Sequence, residues 1–265
     1  MLTEMLSYKN MKVLLIIMDG MRPDSLKGIS RAERFISESA GSLAAKTVYP
    51  PVTLPAHVSL FYGVKPDLHG VNTNEFTPMP VQLDGLFDVL FYSDKHCAFM
   101  NSWDEFRDLY HPGNIKHHYL TQDYGYDKYY LLDRMVKDET IRYLATRSPD
   151  FVFTYFGWTD IAGHKKGWMS GEYIESVRNT WDLAGEIIDT LDDEWTVIVT
   201  ADHGGHGRDH HLDIPDDMNI PLFFRGKDFR PGTEIDDLSI LDVAPTVAKL
   251  LGAKIPEEWE GVARV

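Results

Sequence analysis

Val13-Leu-Leu-Ile-Ile-Met18, closed by Asp19-Gly20, is an unbroken apolar run with an acidic residue at its end. Its length and lack of alternation predict a strand buried on both faces, as in a parallel sheet covered by helices. Two further runs have the same form. Phe151–Phe156 (FVFTYF) leads to Asp160, and Trp195–Thr200 (WTVIVT) ends in Asp202-His203-Gly204-Gly205. Weaker strand candidates are Ala44–Val48, His96–Met100 and Pro221–Phe224. Helical patterns cover Arg31–Ser39, Leu83–Leu90, Lys128–Thr146, Gly171–Leu191 and Leu241–Leu251. Strands alternating with helices predict an α/β fold, a three-layer α/β/α sandwich around a mostly parallel central sheet. Sites in such sheets lie outside the carboxyl ends of the strands, where all three acidic residues fall. Any one of them alone reads equally well as a turn former or helix cap. Three together, with histidines beside two of them, predict a site.

The length of 265 residues is compatible with one large domain or two small ones. One catalytic domain over 1–265 is expected, because candidate ligands scattered from Asp19 to His210 must converge. The net charge of −15, from 41 acidic and 26 basic side chains, argues against nucleic acid polymers and anionic membranes as partners. It leaves a small phosphorylated substrate open, since bound metal ions invert the local field. Cys97 is the single cysteine, so no intramolecular disulfide can form, which fits a reducing cytoplasm. The first apolar run is too short to span a membrane and has no cleavage site after it, so a cytoplasmic location is expected. Residues 111–130 are rich in Tyr, His and Gly and poorly periodic, and read as an irregular insertion able to lie over the site.

Three constellations carry chemistry. Asp160-Ile-Ala-Gly-His164 puts a carboxylate and an imidazole on one face of a helical turn, able to grip one ion, although Gly163 disfavours a regular helix there. Asp202-His203-Gly-Gly-His206-Gly-Arg-Asp-His210-His211 gathers ligand-type side chains at the end of a buried strand, on a loop that glycines allow to fold back. The plainer readings of that loop are a basic pH-sensitive segment or an adventitious transition-metal site. Pro50-Pro-Val-Thr53-Leu-Pro55-Ala-His57 describes the start of a helix, where free N–H groups and the helix dipole seat a phosphate. Thr53 there is either a cap or a nucleophile, and only metals or a base beside its hydroxyl separate the two.

The ordered set resembles the alkaline phosphatase superfamily, above all its type I phosphodiesterase and nucleotide pyrophosphatase branch. The matching pieces are Met18-Asp-Gly-Met-Arg-Pro-Asp24, Thr53-Leu-Pro-Ala-His57, Gly63-Val-Lys-Pro-Asp-Leu-His-Gly70, Asp160-x-x-Gly-His164, Asp202-His203-Gly204 and Asp242-Val-Ala-Pro-Thr246 with Leu250-Leu-Gly252. The resemblance implies a phosphodiesterase-like hydrolase acting through a phospho-threonine at Thr53. Two divalent ions are implied, zinc in most of the family, with manganese or iron also compatible with Asp and His ligands. By the resemblance one ion is held by Asp19, Thr53, Asp202 and His203, the other by Asp160, His164 and a third histidine. His210 matches the spacing for that ligand, with His206 and His211 as alternatives. Asn74 is the matching candidate for holding a phosphoryl oxygen, with Asn72 second. A monoesterase, a phosphonate hydrolase or a phosphosugar mutase of the same superfamily is the alternative activity, and a non-catalytic metal-binding protein a third. A sulfatase signature of the form C-x-P-x-R is not met at Cys97, which Ala-Phe-Met-Asn follows.

Overall fold

The computed structural model describes residues 11–75, 77–122, 125 and 128–265. Among these, eight strands follow in chain order: β1 (Lys12–Met18), β2 (Ala40–Lys46), β3 (Cys97–Asn101), β4 (His117–Leu120), β5 (Phe151–Phe156), β6 (Trp195–Thr200), β7 (Asn219–Arg225) and β8 (Thr233–Glu234). They form one sheet in the order β4-β3-β5-β1-β6-β7-β2-β8. Strand β7 is antiparallel to its neighbours β6 and β2, and the other pairings are parallel. The three strong apolar runs are therefore the adjacent central strands β5, β1 and β6. Residues 13–18 of β1 have no exposed surface, as a strand covered on both faces requires.

The longer helices are α1 (Ser30–Ser37), α2 (Thr53–Tyr62), α3 (Leu86–Tyr92), α4 (Tyr129–Thr146), α5 (Trp158–Lys166), α6 (Gly171–Ile188) and α7 (Val243–Leu250). Helices α1, α4 and α5 pack on α6 over one face of the sheet, and α2, α3 and α7 pack together over the other. No helix among the described residues is long and apolar enough to cross a membrane.

Two expectations change. Residues 111–130 are not irregular throughout. They supply β4, parallel to β3 at the sheet edge, and Tyr129 and Tyr130 already belong to α4. Residues 123, 124, 126 and 127 of that stretch lie outside the described residues. An edge strand buries little on either side, so β4 (HHYL) carries no apolar signal to read. The second change is at Ala44–Val48: β2 runs from Ala40 to Lys46, opening on Ala-Gly-Ser, which carries no apolar pattern to read, and ending two residues short of Val48.

Register sets the site. Ile17 of β1 pairs with Thr200 of β6, and Met18 with Phe156 of β5, so the three carboxyl ends are level. Asp19 and Asp202 each lie two residues past a paired position and emerge side by side.

Beneath them, Phe153 of β5 anchors an aromatic cluster, with ring centroids 4.6 Å from Phe99 and 5.1 Å from Phe61. Phe153→Ala is expected to lower the unfolding free energy by roughly 3–5 kcal/mol, read as a lower urea midpoint with unchanged slope. A loss below about 1 kcal/mol would show that the cluster collapses around the gap.

Candidate active site

The turn after β1 brings the three strand ends into contact. Gly20 has φ +65°, and a Cβ there would lie 3.1 Å from the Asp160 Cα, so glycine lets α5 close against the turn. The Gly20 N–H donates to Asp202 Oδ1 at 3.1 Å, tying β1 to β6. At the corner between β5 and α5, the buried carboxylate of Asp133 accepts the N–H groups of Gly157 (3.1 Å) and Trp158 (3.2 Å). Asp160 and His164 then stand one helical turn apart. Contrary to expectation, α5 runs unbroken through Gly163. Glycine is needed there for space, since a Cβ would lie 2.5 Å from Trp168 Cε2.

Two groups of ligand atoms result, each with its atoms within 4.8 Å of one another: Asp19, Asp202 and His203, and Asp160, His164 and His210. His203 Nε2 lies 3.3 Å from Asp19 Oδ1 and 3.4 Å from Asp202 Oδ2. Asp160 Oδ1 lies 3.4 Å from His164 Nε2 and 3.8 Å from His210 Nε2. Those three carboxylate oxygens are buried without a hydrogen-bond partner. The Nδ1 atoms of His203, His164 and His210 face the carbonyl oxygens of Gly204 (2.8 Å), Arg208 (2.9 Å) and Pro51 (2.8 Å). A carbonyl only accepts, so each Nδ1 carries the proton and each Nε2 presents its lone pair. His164 Nε2 and His210 Nε2 are 3.1 Å apart, two lone pairs that cannot bond each other. Acceptors converging on acceptors, with orphaned carboxylate oxygens among them, is the donor set a divalent cation requires. The residues fit such a group.

The electrostatics agree. Asp19 is held well above the ordinary carboxylate range, first by burial and then by the charges of Asp202 and Asp160. Burial pushes Asp160 up to about 7, with Asp202 adding to the shift and His164 opposing it. Burial pushes His203 down to about 3 and also lowers His210.

Thr53 opens α2, and Val52 stands at the cap position. The buried Thr53 hydroxyl lies 3.3 Å from His203 Nε2. It sits with the first group of ligands and does not cap its helix. Asn74 reaches the same helix start, its Oδ1 accepting the Leu54 N–H at 2.9 Å. Asn72 instead bonds the Gly70 carbonyl in a local turn. His206 turns away to Asp217 (2.8 Å), and His211 is exposed beside Asp209. Of the three candidate histidines, only His210 joins the cluster.

Sequence reasoning missed the residues that hold this arrangement. Tyr155 donates its hydroxyl to Asp19 Oδ2, Thr159 to the Asp19 carbonyl and Thr47 to the Asp202 carbonyl. Tyr155 alone carried a signal, because a phenol in a fully buried run must find an acceptor. Trp168 donates from Nε1 to the Gly20 carbonyl at 2.9 Å. Cys97 is buried at the start of β3 and its thiol is pushed up by that burial.

With this geometry in view, comparisons identify the class. Residues 13–82 and 88–219 match the type I phosphodiesterase/nucleotide pyrophosphatase family, and the chain belongs to that family, within the alkaline phosphatase superfamily. It is 26% identical over 214 residues to a bis(5'-adenosyl)-triphosphatase of Mus musculus, covering 73% of this chain and 47% of that protein. It is 30% identical over 133 residues to a 2,3-bisphosphoglycerate-independent phosphoglycerate mutase of Clostridium tetani, covering 48% of this chain and 26% of that protein. The chain thus spans between about a quarter and about half of these curated relatives. Murine ectonucleotide pyrophosphatase/phosphodiesterase 5, solved in an inactive form with AMP, superposes with a TM-score of 0.75 at 14% identity, covering 93% of this chain and 96% of that one. A putative sulfatase from Bacteroides thetaiotaomicron gives 0.77 at 15% identity, covering 97% and 74%. At such identities these structures establish the alkaline phosphatase-like fold.

In metal-free protein, folded Asp160 keeps its proton to about pH 7, whereas the unfolded carboxyl ionises near the ordinary value of 3.8. Between those values unfolding releases a proton, so rising pH disfavours the folded state. Asp160→Asn removes that dependence. In EDTA, its urea-unfolding free energy is expected to exceed that of the unsubstituted protein by a margin that grows from about pH 4 to about pH 7. A margin independent of pH would mean that Asp160 ionises normally in the fold.

Proposed function

We propose that the chain is a divalent-metal-dependent hydrolase of phosphodiesters or related phosphoryl esters, with Thr53 as nucleophile. The observation that carries this reading is the buried Thr53 hydroxyl, 3.3 Å from His203 Nε2 at a helix start, beside carboxylates with orphaned oxygens. Asp19, Thr53, Asp202 and His203 would hold one ion, and Asp160, His164 and His210 the other. Bound there, such ions lower the pKa of the threonine hydroxyl and neutralise charge on the phosphoryl oxygens. Mixed aspartate and histidine donors suit zinc, and also manganese or iron.

The chain's own residues supply position. Tyr155 and the Gly20 N–H fix the outer oxygens of Asp19 and Asp202, leaving Asp19 Oδ1 and Asp202 Oδ2 turned inward. The start of α2 aims its dipole at the incoming phosphoryl group. Asn74 commits its carbonyl to Leu54 N–H and keeps its amide N–H groups to donate to a phosphoryl oxygen. A neutral amide beside the nucleophile suits the single charge of a diester better than the double charge of a monoester. Thr53 displaces one ester oxygen, and water displaces Thr53 from phosphorus in a second step. The match to a phosphoglycerate mutase supports a second reading, in which the phosphoryl group passes to a substrate hydroxyl instead of water.

Zinc-reconstituted protein is expected to turn over bis(p-nitrophenyl) phosphate faster than p-nitrophenyl phosphate, and to lose both activities in EDTA until zinc is restored. Thr53→Ala should lower kcat by about a thousandfold or more. Activity that survives in Thr53→Ala would rule out this nucleophile, and monoester preference would rule out the diesterase reading. Asn74→Ala should reduce kcat about a hundredfold, as removal of one donor to a developing oxyanion does. Unchanged kcat in steady-state assays would remove Asn74 from the site.

A further inference from the structure

His57 lies one turn into α2 beyond Thr53 and has no exposed surface. Its Nδ1 stands 2.7 Å from the Thr53 carbonyl oxygen and 3.6 Å from Asp202 Oδ2. The carbonyl can only accept, so Nδ1 carries the ring's proton. The other nitrogen, Nε2, is buried without a hydrogen-bond partner. It sits in an aromatic box whose ring centroids lie 4.4 Å (Phe106), 5.7 Å (Tyr155) and 6.4 Å (Phe153) from that of His57. An apolar side chain would fill this box and leave no nitrogen orphaned. A local rule broken in this way points to what the polar edge of the ring touches. That edge touches the backbone of Thr53 and faces the carboxylate of Asp202.

We propose that His57 is a positioning residue, whose Nδ1–H bonds the Thr53 carbonyl and, through the dipole of that N–H and not through a second hydrogen bond, orients the Asp202 carboxylate 3.6 Å away. The inference rests on Thr53 as nucleophile and Asp202 as metal ligand. Asp202 Oδ1 accepts the Gly20 N–H, and its other oxygen, Oδ2, has no hydrogen-bond partner of its own. The positive edge of His57 near Oδ2 sets the plane, and Oδ2 then faces His203 Nε2 at 3.4 Å. The same N–H caps the carbonyl of Thr53 and steadies the first turn that carries its hydroxyl. Partners that orient a ligating carboxylate act at one remove, and their loss weakens metal affinity or activity by about 10–100-fold.

The test uses His57→Leu, His57→Asn and His57→Gln in the full chain. Three quantities are measured: zinc affinity by competition with a chromogenic chelator, kcat and KM on bis(p-nitrophenyl) phosphate at saturating zinc, and melting temperature in EDTA. Asparagine presents an N–H close to the position of Nδ1, whereas glutamine reaches toward that of Nε2. His57→Leu is expected to weaken zinc binding and lower kcat, each about 10–100-fold, without lowering the melting temperature. KM should stay within about threefold. His57→Asn should recover most of both losses and His57→Gln should not. Unchanged zinc affinity and kcat in His57→Leu would overturn the proposal. Equal losses in all three variants that track a fall in melting temperature would also overturn it, by assigning His57 to packing. If His57→Leu does not fold, the contrast between asparagine and glutamine carries the test. If the unsubstituted protein hydrolyses no phosphoryl ester, the functional reading fails and zinc affinity alone decides the role of His57.

Discussion

Asp19, Asp160 and Asp202 are driven together at the carboxyl edge of one sheet, and each keeps one buried oxygen that no protein group satisfies. Buried carboxylates repel each other and lose their hydration, a combination that shifts their pKa values or calls for a cation. Much of the local structure reads as a response to this constraint. Gly20 turns with φ +65° so that its N–H can reach Asp202. Tyr155, Thr159 and Thr47 take up the outer oxygen and carbonyl groups of the two strand-end aspartates. Three histidines are pinned by their Nδ1 atoms so that Nε2 faces inward. The arrangement persists against its own repulsion because β1, β5 and β6 anchor it in a continuous buried core.

Trp168 links the two halves of the site. Its indole is pressed between Gly163 of α5 and Gly205 of the loop after β6, where a Cβ would lie 2.5 Å and 2.2 Å from Trp168 Cε2. It also bonds the Gly20 carbonyl, and its ring stands 5.0 Å from that of His164 and 5.7 Å from that of His210. One side chain thus backs the Asp160 group and touches all three strand-end turns.

The same architecture is shared with a putative sulfatase and with a nucleotide pyrophosphatase/phosphodiesterase. A fold shared so widely does not choose a reaction. The side chains set on it do. At the start of α2 this chain presents a threonine with its hydroxyl turned toward His203 and an asparagine bonded to the next backbone N–H.

The central layer and its acidic ends were legible in the order of residues alone. Strands covered on both faces must be apolar throughout, so β1, β5 and β6 were legible with the aspartates that follow them. That order did not reveal β4 or β8, because short, poorly buried edge strands carry no such pattern. Spacing, read through the family resemblance, put His210 first and left His206 and His211 as alternatives. The choice among them depends on the turn at Gly207, with φ +54° and a bridge between His206 and Asp209, which sends His210 inward and leaves His211 outside. The contacts of His57 were equally hidden, and Tyr155 signalled that its phenol needs an acceptor but not which one. Asp19 and Tyr155 are separated by 136 positions and meet only because β1 and β5 lie side by side. Periodicity and spacing are local properties of the chain, whereas the convergence of atoms from distant segments follows from strand register and packing in three dimensions.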